Sequence, residues 1–281
     1  MNKQGLQYLG QTASFATMHN KESVVGPIFQ ELLGIKVVPA GIDTDQFGTF
    51  SGDVARNRPP LETAIAKAKA AVLESGNSLG IASEGTIGPH PLIPISSSDS
   101  ELMVFIDTNL DLVIHESIRS TEIVTARKVV NQGDDLESFL GQADFPHHGL
   151  IVRSGTGPND PVIKGIRDRA ELLAAISKLA REGSVVLETD LRANFNPSRM
   201  RVIAQCARLL ASRIASECPS CKSPGWGSVQ PLFGLPCQDC GEQVDSVVSA
   251  DRMGCVKCDH NLIHERPQSS AEARFCTFCN P

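Results

Sequence analysis

Eight cysteines stand in four Cys-x-x-Cys pairs, all after residue 217: Cys218/Cys221, Cys237/Cys240, Cys255/Cys258 and Cys276/Cys279. A Cys-x-x-Cys turn delivers two thiolates from one tight knuckle, and zinc prefers four thiolates in a tetrahedron at about 2.3 Å. Four pairs therefore predict two closed zinc sites. A closed site has no position left for water, so it stabilises rather than catalyses. Redox pairs are the alternative, but four of them in so short a stretch exceed any redox need. The intervening stretches of 15, 14 and 17 residues leave the pairing open. Neighbouring pairs could share an ion sequentially, or the middle two could form one site with the outer two nested around it. His260 and His264 are spare ligand candidates that eight cysteines make unnecessary.

The remaining composition describes a soluble globular chain. Of 281 residues, 41% are hydrophobic and 21% charged, enough for a sizeable core and too few charges for a disordered chain. The net charge of -6 gives no general attraction to nucleic acid or to anionic membranes. Residues 1–20 lack the apolar stretch of a signal peptide, and no run approaches the roughly 18–20 apolar residues of a membrane span. A cytoplasmic location is expected. From Glu217 onward there are five Lys/Arg against eight Asp/Glu, so nucleic acid is a disfavoured partner and docking on protein is preferred. A homo-oligomer stays open.

We place a domain boundary near Ser216/Glu217, giving a 1–216 α/β domain and a 217–281 double zinc-ribbon module. Ahead of the boundary the pattern alternates. Strand Ala13–Thr17 leads to a helix over Lys21–Leu33 that Gly34 stops, with Pro27 marking a kink or a late start. A strand over Ile35–Pro39 and a polar loop over Asp43–Arg58 follow. Pro59-Pro60 then opens a helix over Leu61–Glu74. Strand Leu79–Ser83 precedes a hairpin of Leu102–Asp107 and Leu112–Glu116, with Asn109 at the turn. We read Ser117–Val130 as helix, Gly149–Arg153 as strand, Asp168–Glu182 as a helix stopped by Gly183, and Ser184–Thr189 as strand. Asn196-Pro197 caps a final helix that reaches about Ser216, with Cys206 on its buried stripe. The expected architecture is a mixed central sheet flanked by helices.

Three polar stretches sit where strands meet loops or helices. Thr17–Glu22 joins a strand to a helix N-terminus, whose free N–H groups together with Asn20 and Lys21 suit a phosphate. Asp43, Asp45, Glu62 and Glu84 are carboxylates that suit Mg²⁺ beside a phosphate. Lys69, seven residues after Glu62, lies on the same helix face. The third stretch, Glu188–Met200, offers Arg192, Asn194 and Arg199 for a phosphate or a base edge. His147 and His148, adjacent in sequence, read as loop residues, and His90 is a weaker candidate.

Over its length the chain resembles a bacterial family of unassigned function, through Ala16–Glu22, Gly41–Gly52, Ala82–Pro91, Glu188–Met200 and the cysteine pairs. Its first part also resembles the inosine/xanthosine triphosphate pyrophosphatase superfamily, which includes the Maf-like enzymes. Ala16-Thr17-Met18-His19-Asn20-Lys21 is a shortened form of that superfamily's strand–T/S-x-N-x-x-K–helix opening. Glu62-Thr63-Ala64-Ile65-Ala66-Lys67-Ala68 matches its E-x-A-x-x-K-A helix, and Ala82-Ser83-Glu84-Gly85 stands where an acidic strand end is found. The resemblance implies that Asn20 and Lys21 hold phosphates, that Glu62 and Glu84 bind Mg²⁺, with catalysis resting on them, and that Arg192–Arg199 meets the nucleotide. The superfamily has two acids at the second acidic position, where this chain has only Glu84. The expected activity is metal-dependent hydrolysis of a nucleoside triphosphate to release pyrophosphate. The alternative is a nucleotide- or phosphate-binding protein that signals or docks through its zinc module.

Overall fold

Parallel strands need a crossover, and the first three strands of this chain are joined by helices. The computed structural model describes residues 6–47, 58–155, 157, 160–180 and 183–281. The chain divides into two units, one spanning Tyr8–Ala211 and one containing Ser212–Pro281. In the first unit, β1 (Thr12–Ala16), α1 (Glu22–Leu33), β2 (Lys36–Pro39), α2 (Pro60–Ser75) and β3 (Leu79–Pro89) follow one another. Strand β1 pairs in parallel with both β2 and β3. Next, β4 (Ser97–Asp107) and β5 (Leu112–Ser120) add antiparallel, giving a mixed sheet in the order β2-β1-β3-β4-β5. The expected mixed sheet with flanking helices is present.

Helix boundaries follow the local chemistry. Gly34 and Gly76, left-handed at φ 67° and 71°, cap α1 and α2, as C-terminal glycines commonly do. Helix α1 continues through Pro27. One face of the sheet carries α2, whose Ala64, Ala68 and Ala71 pack on Ala82, Val104 and Ile106. Small residues permit that close approach. A Cβ on Gly80 would lie 2.6 Å from the Ala68 carbonyl oxygen.

A second sheet was not foreseen. Strands β6 (Arg127–Val130), β7 (Leu150–Arg153), β8 (Val162–Ile166) and β9 (Val185–Thr189) form an antiparallel sheet in the order β6-β9-β7-β8. The segment expected to be helical over Ser117–Val130 is therefore extended at both ends, as β5 and as β6. Its β-branched residues, from Ile118 to Val130, suit a strand surface, and both ends find ladder partners. One face of this sheet is apolar. Val130, Leu150, Val152, Val185 and Leu187 pack with Phe139 and Leu140 of α3 (Glu137–Gln142) and Leu172 and Ile176 of α4 (Arg169–Leu179). Asp168 caps α4 by accepting the Glu171 N–H at 2.9 Å. The helix stops at Leu179, and the expected terminus at Glu182 lies outside the described residues.

Asn109 lies in the β4–β5 turn as expected; Asp107 Oδ1 accepts the N–H groups of Asn109 and Leu110, and the left-handed residue is Asp111 at φ 52°. Helix α5 (Pro197–Ala215) begins as expected, with Asn196 Oδ1 accepting the Arg199 N–H at 2.9 Å. Its stripe of Ile203, Cys206, Ala207 and Leu210 is fully buried, and burial pushes the Cys206 thiol up to about 12. Cys206 is a core residue.

The second unit contains an antiparallel meander, β10 (Gly227–Pro236), β11 (Gln243–Gly254) and β12 (Asn261–Glu265), with the cysteine knuckles between and around the strands. Its small core is Leu235, Cys237, Val244, Ala271 and Cys276. Trp226 stacks on His260 at 5.3 Å, while Phe233 remains half exposed. Among the described residues, no helix is long and apolar enough to cross a membrane.

Candidate metal centres and active site

The eight cysteines of the module gather into two groups of four: Cys218, Cys221, Cys255 and Cys258, and Cys237, Cys240, Cys276 and Cys279. The pairing is interleaved, first knuckle with third and second with fourth, and is neither sequential nor nested. Across the knuckles the Sγ atoms lie 3.9 Å (Cys218–Cys258), 3.6 Å (Cys221–Cys255), 3.9 Å (Cys237–Cys279) and 3.7 Å (Cys240–Cys276) apart. A tetrahedron of thiolates at about 2.3 Å from an ion has edges of about 3.8 Å, so both groups have the dimensions of an S₄ metal site. Backbone amides complete each knuckle. The N–H groups of Lys257 and Cys258 approach Cys255 Sγ at 3.3 and 3.4 Å. Those of Cys240 and Asp239 hold the Cys237 thiol down to about 7, toward the thiolate that a metal requires.

The first unit buries a second, quite different constellation. Lys21, Lys67 and Arg199 oppose Glu84, Asp99 and Glu101, and each of the six is less than 9% exposed. Buried charges survive only when they are paired. Lys67 Nζ lies 2.5 Å from Glu84 Oε1 as a buried ion pair. Arg199 Nε donates to Glu101 Oε1 at 2.7 Å and its Nη1 to the Leu191 carbonyl at 2.7 Å. Lys21 Nζ donates to Ser83 Oγ at 2.9 Å. Burial pushes the Lys21 ammonium down to about 8 against the pull of Glu101. Burial and then Glu101 push the Asp99 carboxyl up to about 7.

Strand parity explains the layout. Gly85 pairs with Glu101 and Ile87 with Asp99, so Ser83, Gly85, Asp99 and Glu101 share one face with Arg199 of α5. Glu84 points to the other face, where α2 supplies Lys67. Lys21 arrives from the loop after β1, and Ser83-Glu84 continues β3 just beyond its pairing with β1. Both therefore stand at the carboxyl ends of parallel strands, where open α/β sheets bind ligands.

A cavity of about 440 Å³ lies farther along the same β3–β4 hairpin. Ile87, Gly88 and Ser97 of the β3–β4 hairpin line one side, and the polar face of the second sheet lines the other. Its walls carry four basic residues, Arg127, Arg153, Lys164 and Arg192, against two acids, Glu188 and Asp190. Glu188 accepts from Arg153 at 2.6 Å, and Asp190 takes a forked contact from Arg192. Arg192 also stacks on Phe195 at 4.5 Å. The excess of positive charge suits an anionic ligand with an apolar body resting on Ile87, Ile151 and Leu191.

Of the residues named from the sequence, Lys21, Glu84 and Arg199 belong to the buried constellation and Arg192 to the cavity. Thr17 is buried at the start of the Lys21 loop, and its Oγ1 has no hydrogen-bond partner among the described residues. Asn20 is exposed and left-handed at φ 55°. Glu62, Lys69 and Asp43 are exposed, and the side chain of Asp45 lies outside the described residues. The Asn194 carbonyl accepts from Arg167 Nη2 at 2.7 Å. Among the described residues the two cysteine groups are the only clusters of three or more ligand-type side chains close enough to share an ion. Asp99 and Glu101 were missed, and Lys67 and Ser83 entered only as members of the helix and strand-end motifs. The density of polar residues in Ser96–Glu101 was the signal that could have found the two acids.

His148 is no loop spectator. It is 1% exposed, and its Nε2 accepts the Ser198 N–H at 3.3 Å, so Nδ1 donates to Asp144 Oδ2 at 2.9 Å. The Ser-His-Asp order invites comparison with a nucleophilic triad, but Ser198 is fully buried. Its hydroxyl donates to Asn196 Oδ1 at 2.6 Å and accepts the Val124 N–H at 3.0 Å. The network locks the start of α5. Burial lowers the His148 pKa below the ordinary 6.5 despite Asp144. The unfolded imidazole therefore takes up a proton that the folded one refuses, and stability is lost as pH falls below about 6.5. Denaturant titrations of wild type and His148→Gln between pH 8 and 5 should show this loss only in the wild type.

A family model described as a domain of unknown function (DUF6671) matches residues 67–281. The segments Ala16–Glu22 and Gly41–Gly52 lie ahead of that match. No curated protein matches the chain. The chain belongs to the DUF6671 family.

Proposed function

We propose that this protein is a metal-dependent hydrolase of nucleoside triphosphates that releases pyrophosphate, stapled at its C-terminal end by two structural zinc ions. The observation carrying the hydrolase reading is the arrangement of Lys21 and Arg199 at the carboxyl end of the parallel strands, on the sheet face whose Ile87 and Ser97 line the cationic cavity. Water would attack the α-phosphorus, and the bond to the pyrophosphate oxygen would break. Lys21 and Arg199 would stabilise charge developing on the phosphates, and magnesium would supply the remaining neutralisation. Arg192, presented on Phe195, would hold the nucleotide in the cavity. The S₄ dimensions, all-thiolate ligands and closed geometry support zinc in the module.

The test is a panel of canonical and modified nucleoside triphosphates with Mg²⁺, read as pyrophosphate and nucleoside monophosphate. Lys21→Met is expected to lower kcat/KM by about 100-fold, the order seen when one transition-state donor is removed. Orthophosphate in place of pyrophosphate, or tight nucleotide binding with no turnover, would exclude the reaction. The second of those outcomes would leave a ligand-binding protein that acts through its metal module.

A further inference from the structure

Two carboxylates of the buried constellation are incompletely used. Asp99 is fully buried, and neither of its oxygens meets a hydrogen-bond donor among the described residues. Glu101 is 1% exposed, and its Oε2 is likewise without a donor, while Oε1 is taken by Arg199. The side chains leave β4 two residues apart and therefore on one face, so their free oxygens share one space. Two like charges at such a site need a proton or a cation between them. Glu84 has no such vacancy because Lys67 neutralises it, and Glu62 is exposed.

The surroundings say what kind of cation fits. Ile87, the cross-strand partner of Asp99, lines the cavity, and so does Ser97, two residues away on the same face. An ion would enter from that side, past Ile87 and Ser97. The constellation already balances three bases against three acids. A divalent cation alone would leave two positive charges in excess, and a phosphate dianion alone would leave two negative. Together they preserve neutrality. Mg²⁺ and Mn²⁺ bind in this way, through one or two carboxylates plus phosphate oxygens.

We propose that Asp99 and Glu101 form the seat of a divalent cation that binds together with a phosphate-bearing ligand, the cation on the free carboxylate oxygens and the phosphate toward Lys21. The seat deepens the hydrolase reading but does not require turnover. The test is Mn²⁺ binding to the full chain, followed by electron paramagnetic resonance with and without inorganic pyrophosphate. Wild type is expected to bind Mn²⁺ at least about tenfold more tightly with pyrophosphate present. Asp99→Asn keeps the shape and removes only charge. It is expected to weaken that binding at least about tenfold, a loss that even outer partners of metal sites produce, while Glu62→Gln leaves it unchanged. Wild type that binds no Mn²⁺ in either condition would overturn the seat whatever the variants do. So would an Asp99→Asn protein with undiminished affinity, or a loss confined to Glu62→Gln. Mn²⁺–pyrophosphate binding without triphosphate turnover would leave the seat standing and remove the hydrolase.

Discussion

Replacing Cys237 by serine should release one of two metal ions and unfold the end of the C-terminal unit which that ion holds. The apolar cluster around this site holds five buried residues, and two of them, Cys237 and Cys276, are themselves ligands. So small an apolar cluster cannot offset the entropy of ordering the segment without the ions. Metal binding to such sites contributes about 10–16 kcal/mol, and that is folding free energy. Each ion would also tie distant residues together, across 40 positions for Cys218–Cys258 and 42 for Cys237–Cys279. Elemental analysis should read two equivalents of zinc in wild type and one in Cys237→Ser, with proteolysis after residue 217 sharply accelerated. The interleaved arrangement adds a sharper test. Cys218→Ser/Cys255→Ser should lose a single ion, because both ligands serve the same site, whereas Cys218→Ser/Cys237→Ser should lose both. The opposite pattern would mean sequential pairing.

Arg199→Met should be the most damaging single change in the first unit. The arginine is 2% exposed and holds Glu101, itself 1% exposed, at 2.7 Å. Removing it strands a buried carboxylate beside Asp99. Breaking a buried pair from one side costs about 3–5 kcal/mol, which for a unit of this size corresponds to a fall in melting temperature of roughly 10 °C. Much of that cost is the orphaned charge, so Arg199→Met/Glu101→Gln should melt above Arg199→Met alone. Gly85→Ala should act through the same contact, since its Cβ would collide with Arg199 Nη2 and the Glu101 carboxylate. A melting temperature for Arg199→Met close to that of wild type would show that the pair contributes nothing.

Much of the fold can be read from the sequence where local chemistry decides it. Gly34 and Asn196-Pro197 mark helix ends because a left-handed cap or an N-cap needs particular residues there. The apolar stripes of α1 and α5 stand at helical spacing because each packs through one face. Where residues are polar and locally ambiguous, the pattern misleads. The expected strands end at Ser83 and begin at Leu102, yet β3 and β4 run on in an unbroken ladder from Leu79 to Pro89. Ser117–Val130 reads as helix, yet its partners make its two ends strands. The buried constellation was missed for the same reason. Burying Asp99 and Glu101 is favourable only once Lys21 and Arg199 have been brought in from β1 and α5, and nothing within β4 announces them.

The metal module divides the two kinds of information most clearly. The sequence alone determined that four two-thiolate knuckles form, because cysteines three positions apart share one turn. Only the tertiary structure decided which knuckles share an ion. Strands β10 and β11 pair antiparallel from Gly227 with Gly254 to Pro236 with Gln243, which sets the first and third knuckles at one end of the hairpin and the second at the other. Strand β12 returns antiparallel, and Ala271 bridges to Cys237, so the fourth knuckle comes to the second. Strands of this length separate the two ends by about 30 Å, far beyond the reach of one ion. Register, a property of paired strands and of no single segment, therefore fixes the interleaved pairing.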